Sequence, residues 1–199
     1  MSTHAMLVSL LATAAAGAQP DALKDVVQPD WSLVQGDDAA RFSYEDLEYS
    51  SDDWYGSTFW TGPDWTRVGR DWQHSGNLVN SVRVFNAPKP GKAQVTGRCY
   101  KADVKCGDGV ALAIRHNAKT VWSAQIDFAD TTGVEFDLEV DLAPGDRLRF
   151  ALANGGEISC DTTYWDPAIT YADGEVHRAS EGFGEETGVW SYEMETDEG

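Results

Sequence analysis

Basic side chains are scarce in this sequence, and scarcest towards its ends. Residues 1–65 hold two Lys or Arg against 11 acids, and residues 173–199 hold one against nine. The middle, 66–172, carries 12 bases and 13 acids, so the net charge of −18 belongs to the flanks. No basic stripe is present to neutralise phosphates, which argues against nucleic acid as a partner. Long apolar runs are missing too. The apolar stretch from Ala5 to Ala16 is too short for a stable span, so no membrane anchor is expected. Cys or His pairs at zinc spacing, a nucleophile elbow and a phosphate-cradling glycine loop are all absent. Helix-period patterning is nearly absent beyond the first residues.

What is present begins with a processing signal. Ala16-Gly17-Ala18 closes the small-residue run in the A-x-A form of a cleavage site, so 1–18 reads as a signal peptide, although no Lys or Arg precedes Lys24. That predicts a secreted or periplasmic protein. The three cysteines suit such a compartment. Cys99 and Cys106 lie seven apart, close enough to staple a loop, and Cys160 is left over.

The middle of the chain alternates with period two between turn residues. "VEFDLEVDL" (134–142) puts Val134, Phe136, Leu138, Val140 and Leu142 on one face and four acids on the other. "SVRVF" (81–85), "AQVTGRCY" (93–100), "GVALAIRH" (109–116), "TVWSAQID" (120–127), "RLRFALA" (147–153) and "PAITYA" (167–172) complete the set. In "TVWSAQI", Val121 and Trp122 are out of phase, so one of them is expected to face outward or an edge. Short strands with one wet face each predict an all-β antiparallel β-sandwich of the jelly-roll type over 65–175. Residues 19–64 read as an acidic Trp-rich flank of irregular loops, and 176–199 as an acidic tail. "FSYE" (42–45) recurs as "WSYE" (190–193), which raises the possibility of a module edge built from both ends.

Aromatic density is highest where strand periodicity fails. Trp54, Trp60, Trp65 and Trp72 fall within nineteen residues. Sugars present flat C–H faces ringed by hydroxyls, so their sites combine an aromatic plate with polar side chains at its edge. Trp72 with Gln73, His74 and Asn77 forms one such set, and Trp65 with Arg67 another. Asp71 beside His74 is the alternative acid–base pair of a small hydrolase or lyase.

"DTTYWDPAITYADG" (161–174) reads mainly as the closing strand. Pro167 belongs at a strand start or edge, and Trp165 packs as the chain enters the sheet. Asp161 and Asp166 are loop organisers, or else ligands of a structural calcium ion.

Taken in order, "VGRDWQHSGN", "GRCYKADVKCGDGVALAIRHNAKTVWSAQI", "VDLAPGDRLRFAL" and "DTTYWDPAITYADGE" resemble accessory β-sandwich modules of secreted bacterial polysaccharide-degrading enzymes, the carbohydrate-binding-module-like jelly rolls. The resemblance spans about residues 65–175. It implies a non-catalytic extracellular module that holds a polysaccharide or oligosaccharide, or props a catalytic domain or neighbouring module. A structural spacer of the same fold, without glycan affinity, is the alternative.

Overall fold

The computed structural model describes residues 42–54 and 57–197. The expected signal peptide and residues 19–41 of the acidic flank lie outside the described residues. Among the described residues there is no helix. The strands are β1 (Phe42–Asp46), β2 (Glu48–Trp54), β3 (Ser57–Thr61), β4 (Arg67–Val68), β5 (Trp72–His74), β6 (Asn80–Asn86), β7 (Gly91–Lys101) and β8 (Val110–His116). They continue as β9 (Lys119–Ile126), β10 (Val134–Leu142), β11 (Arg147–Asn154), β12 (Thr163–Trp165), β13 (Ala168–Tyr171), β14 (Val176–Arg178) and β15 (Trp190–Asp197).

Two antiparallel sheets form. One has the order β1-β15-β6-β11-β8-β9, the other β14-β13-β7-β12-β5-β4-β3-β2, with β10 on the remaining edge of β7. From β6 onward the chain passes repeatedly between the two, as expected of a jelly-roll sandwich. Alternation explains the core between them. Phe85, Leu112, Ile114, Leu148, Phe150 and Leu152 project from the six-stranded sheet to meet Val95, Phe136, Trp165 and Ile169 of the other. Trp165 sits edge-on to Phe150 at a centroid distance of 5.6 Å, and both are fully buried.

Three expectations change. Strands β6, β8 and β11 are buried on both faces rather than one, because Val82, Val84, Ala113 and Ala151 on the outward side are also inaccessible. Val121 and Trp122 both pack against the core. A register shift in the β8–β9 pairing leaves Val121 as an extra residue, which is how a bulge re-aims a side chain. The described part of the Trp-rich flank forms regular strands: β2 and β3, followed by β4 and β5, extend the nine-stranded sheet.

The described part of the predicted tail, 176–197, packs into the fold. β15 lies between β1 and β6, and Trp190 and Tyr192 enter the core. Two of its acids, Glu193 and Glu195, are buried partners. Arg115 Nη1 lies 2.9 Å from Glu195 Oε2 with both side chains fully buried, Asn80 donates to Glu195 at 2.8 Å, and Arg149 and Arg147 both bond Glu193. The repeated "SYE" segments belong to the two neighbouring strands, β1 and β15, so this edge is built from both ends of the described chain.

The disulfide also differs. Cys106 is joined to Cys160, with Cα atoms 5.7 Å apart, and Cys99 is a buried thiol. Cys99 lies on the inward face of β7, opposite Trp165, and points into the core instead of towards the loop that holds Cys106. Burial raises its thiol pKa well above the ordinary value.

Candidate functional site: an aromatic groove on the nine-stranded sheet

The outer face of the nine-stranded sheet carries a groove of about 770 Å³. Its floor comes from β5. Alternation sends Trp72 and His74 outward and turns Gln73 into the sandwich, where its amide donates to Ser81 O at 3.1 Å and Phe150 O at 3.2 Å. Gln73 is fully buried and is not part of a polar rim, a correction to the sequence reading.

The floor is held from behind. Arg83, fully buried on β6, donates to Gly69 O at 2.7 Å and Arg70 O at 2.9 Å, fixing the turn that precedes Trp72. Gly69 N donates to Trp72 O at 2.9 Å, and the indole lies so close that a Cβ at residue 69 would sit 2.1 Å from it. The absence of a side chain at Gly69 is what lets Trp72 lie flat against the turn.

One wall is Trp65, in the turn between β3 and β4 and 46 % exposed. The Arg67 guanidinium lies 4.8 Å over its ring, as the sequence pairing of the two suggested. His74 sits 6.4 Å from the same ring, and its imidazole bonds the backbone of both Ser75 and Trp65. Burial lowers the His74 pKa, against the pull of those carbonyls. The ring acts as a brace between β5 and the Trp65 turn.

The other wall combines Tyr164 of β12 with the chain around Ala102 and Asp103 and the segment 158–162. Ala102 N donates to Thr162 O at 2.8 Å, and the Cys106–Cys160 disulfide ties the same two loops. Tyr164 stacks on Tyr100 at 5.0 Å, and the Arg98 guanidinium lies 5.3 Å over the Tyr100 ring. With one ring face taken, the rest of Tyr164 is turned to the groove. Alternation in "TTYWD" carries the signal for this residue: Trp165 faces in, so Tyr164 faces out.

The remaining candidates lie elsewhere. Trp60 is half-buried, stacked on Tyr192 at 5.0 Å, with Nε1 donating to Gly184 O, and does not line the groove. Asn77 is exposed and donates to Asp64 at 3.1 Å. Trp54 ends β2, and its side chain lies outside the described set.

The calcium candidates do not form one donor set. Asp166 accepts from Ser180 N and Oγ, both at 2.8 Å, with Arg178 at 3.5 Å. Asp161 is fully buried behind the groove wall, beside Ser75 Oγ at 3.4 Å and Lys101 Nζ at 3.6 Å. Lys101 is the buried basic side chain that faces it. Burial nonetheless pushes the Asp161 pKa up to about 7, with Lys101 pulling the other way. Asp103, Cys106 and Cys160 also cluster, but the two sulfurs are bonded to each other and are not metal donors.

Fold and groove together define the class: an all-β, two-sheet sandwich with an aromatic depression on the outer face of one sheet. No protein-family model matches the chain, and neither does any curated protein sequence. Among solved structures, the native structure of a family 35 carbohydrate binding module from Clostridium thermocellum matches 68 % of this chain and 95 % of its own. The identity is 18 % and the TM-score 0.33, a likeness too loose to transfer a site.

Proposed function

We propose that the protein is a non-catalytic carbohydrate-binding module, secreted or periplasmic, that holds a polysaccharide or oligosaccharide chain in the aromatic groove and serves beside a catalytic partner. The observation that carries this reading is the juxtaposition of exposed Trp65 with Trp72 and Tyr164. Asp71, Asp103, Ser159 and Thr162 add hydrogen-bonding groups between these rings. An apolar plate with polar atoms at its margin matches the alternation of C–H faces and hydroxyls on a sugar. Of the four tryptophans singled out in the sequence, Trp65 and Trp72 carry the proposal. Trp60 supports the sandwich instead.

Affinity gel electrophoresis against a polysaccharide panel tests it, with Trp65→Ala and Trp60→Ala compared. Trp65→Ala removes a half-exposed ring, so it should leave the melting temperature nearly unchanged and weaken binding at least about tenfold. Trp60→Ala should lower the melting temperature and spare affinity in the folded fraction. Equal binding by the wild type and Trp65→Ala, or no binding to any polymer by folded protein, would move the assignment to a structural spacer.

A hydrolase or lyase gains one observation, because Asp71 and His74 line the same groove. Against it, His74 Nδ1 lies 2.7 Å from Ser75 O and the Trp65 backbone also bonds the ring, so the imidazole is engaged in bracing the chain. Release of reducing ends or unsaturated products from the same polymers would reverse that judgement.

A further inference from the structure

The charge of the groove says which glycans it accepts, an inference that rests on the carbohydrate reading above. Two carboxylates, Asp71 and Asp103, line it, and no Lys or Arg does. Four nearby cations are committed elsewhere. Arg67 lies over the Trp65 ring and donates to Asp64 O at 3.2 Å. Lys101 is buried against Asp161, Arg98 covers Tyr100, and Arg70 donates to Ser180 O at 3.1 Å.

We infer that the groove selects uncharged sugar chains, and that Asp71 and Asp103 act as a charge filter against uronates and other anionic glycans. A neutral sugar offers hydroxyl donors, which carboxylates accept as strong charge-assisted hydrogen bonds. A uronate brings a carboxylate into a depression that already holds two, with no cation among the lining residues to pair it. Unscreened repulsion at groove dimensions disfavours such a ligand by about tenfold or more. The protein's net charge of −18 acts in the same direction during approach. Both residues are exposed, so replacing them does not threaten the fold.

The test measures affinity for neutral polymers (xylan, galactan, mannan) and uronate polymers (polygalacturonate, alginate) at about 20 mM and about 500 mM NaCl, where screening differs several-fold in range. The expected result is binding to a neutral polymer, with uronates at least about tenfold weaker at low salt and the gap narrowing at high salt. An Asp71→Asn, Asp103→Asn double variant should raise the ratio of uronate to neutral affinity. Uronates bound as well as or better than neutral chains would overturn the filter and leave the carbohydrate reading standing. A ratio that the double variant does not move would overturn the assignment to these two residues. Silence towards every polymer would remove both readings together.

Discussion

Replacing Gly69 by alanine puts a methyl group where the Trp72 indole already lies. The added Cβ would fall 2.1 Å from Cε2, 2.2 Å from Nε1 and 2.6 Å from Cζ2. Ordinary carbon contacts are about 3.5–4.0 Å, so the ring has to move by more than an ångström or the turn has to open. Neither is easy. Arg83 holds the carbonyls of Gly69 and Arg70, Gly69 N is bonded to Trp72 O, and Trp72 packs against Phe59 at 6.2 Å. Overpacking of this kind costs roughly 1–3 kcal/mol. In a chain of this size that lowers the melting temperature by roughly 2–12 °C. The assay is a thermal melt followed by tryptophan fluorescence, alongside Gly188→Ala, where the new methyl group meets nothing within 4 Å. Gly69→Ala should also weaken glycan binding, because Trp72 forms the groove floor. A melting temperature within about 1 °C of the Gly188→Ala control would refute the account of how the floor is seated.

Other perturbations report on the surroundings. Asp161 keeps its proton in the folded state up to about pH 7, whereas the unfolded chain releases it near the ordinary carboxylate value, so stability should fall as pH rises from about 4 to 7. Urea midpoints across that window should slope downward by a few kcal/mol for the wild type, and Asp161→Asn should flatten the slope. Asp146 has the opposite sign. Its pKa is lowered to about 2 by the Ala143 N–H, Asn117 and His116, and its stabilisation should fade below about pH 4. Asp146→Ala should cost about 1–2 kcal/mol in the same urea assay. Replacing Cys106 and Cys160 together by serine opens a cross-link between residues 54 apart, for an expected loss of about 4 kcal/mol by chemical denaturation. Stability equal to the wild type under oxidising conditions would show that the bond is not formed.

The sandwich was legible where a long strand runs between turn residues. β10 was bounded to the residue by its strict alternation, and β7 and β11 to within about two. β15 was misread because Glu193, Glu195 and Asp197 count as solvated acids in a composition, while the arginines that neutralise the two glutamates sit 44 to 80 residues away. The β2–β5 extension was missed for a related reason. Its strands are short and broken by Gly, Ser and Pro, and they are held as strands by pairing with each other and with β12. At the groove, Trp65, Trp72 and His74 were found as aromatic density. Gln73 was assigned to the wrong face because the three residues of β5 were read as a loop rim rather than a strand. Tyr164 was passed over beside Trp165, whose burial dominated the reading of that stretch.

The position of β15 between β1 and β6 has a consequence for synthesis. A ribosome delivers β1 roughly 150 residues before the strand that pairs with it, since Phe42 meets Asp197 and Asp46 meets Glu193. Until then β1 has no neighbour and β6 has one open edge, while Arg115 and Arg149 lack their carboxylates. The six-stranded sheet is therefore completed after translation of the whole unit, by insertion of one late strand between two early ones. A nascent chain stalled before residue 190 should present an unpaired sheet edge to whatever chaperone is at hand.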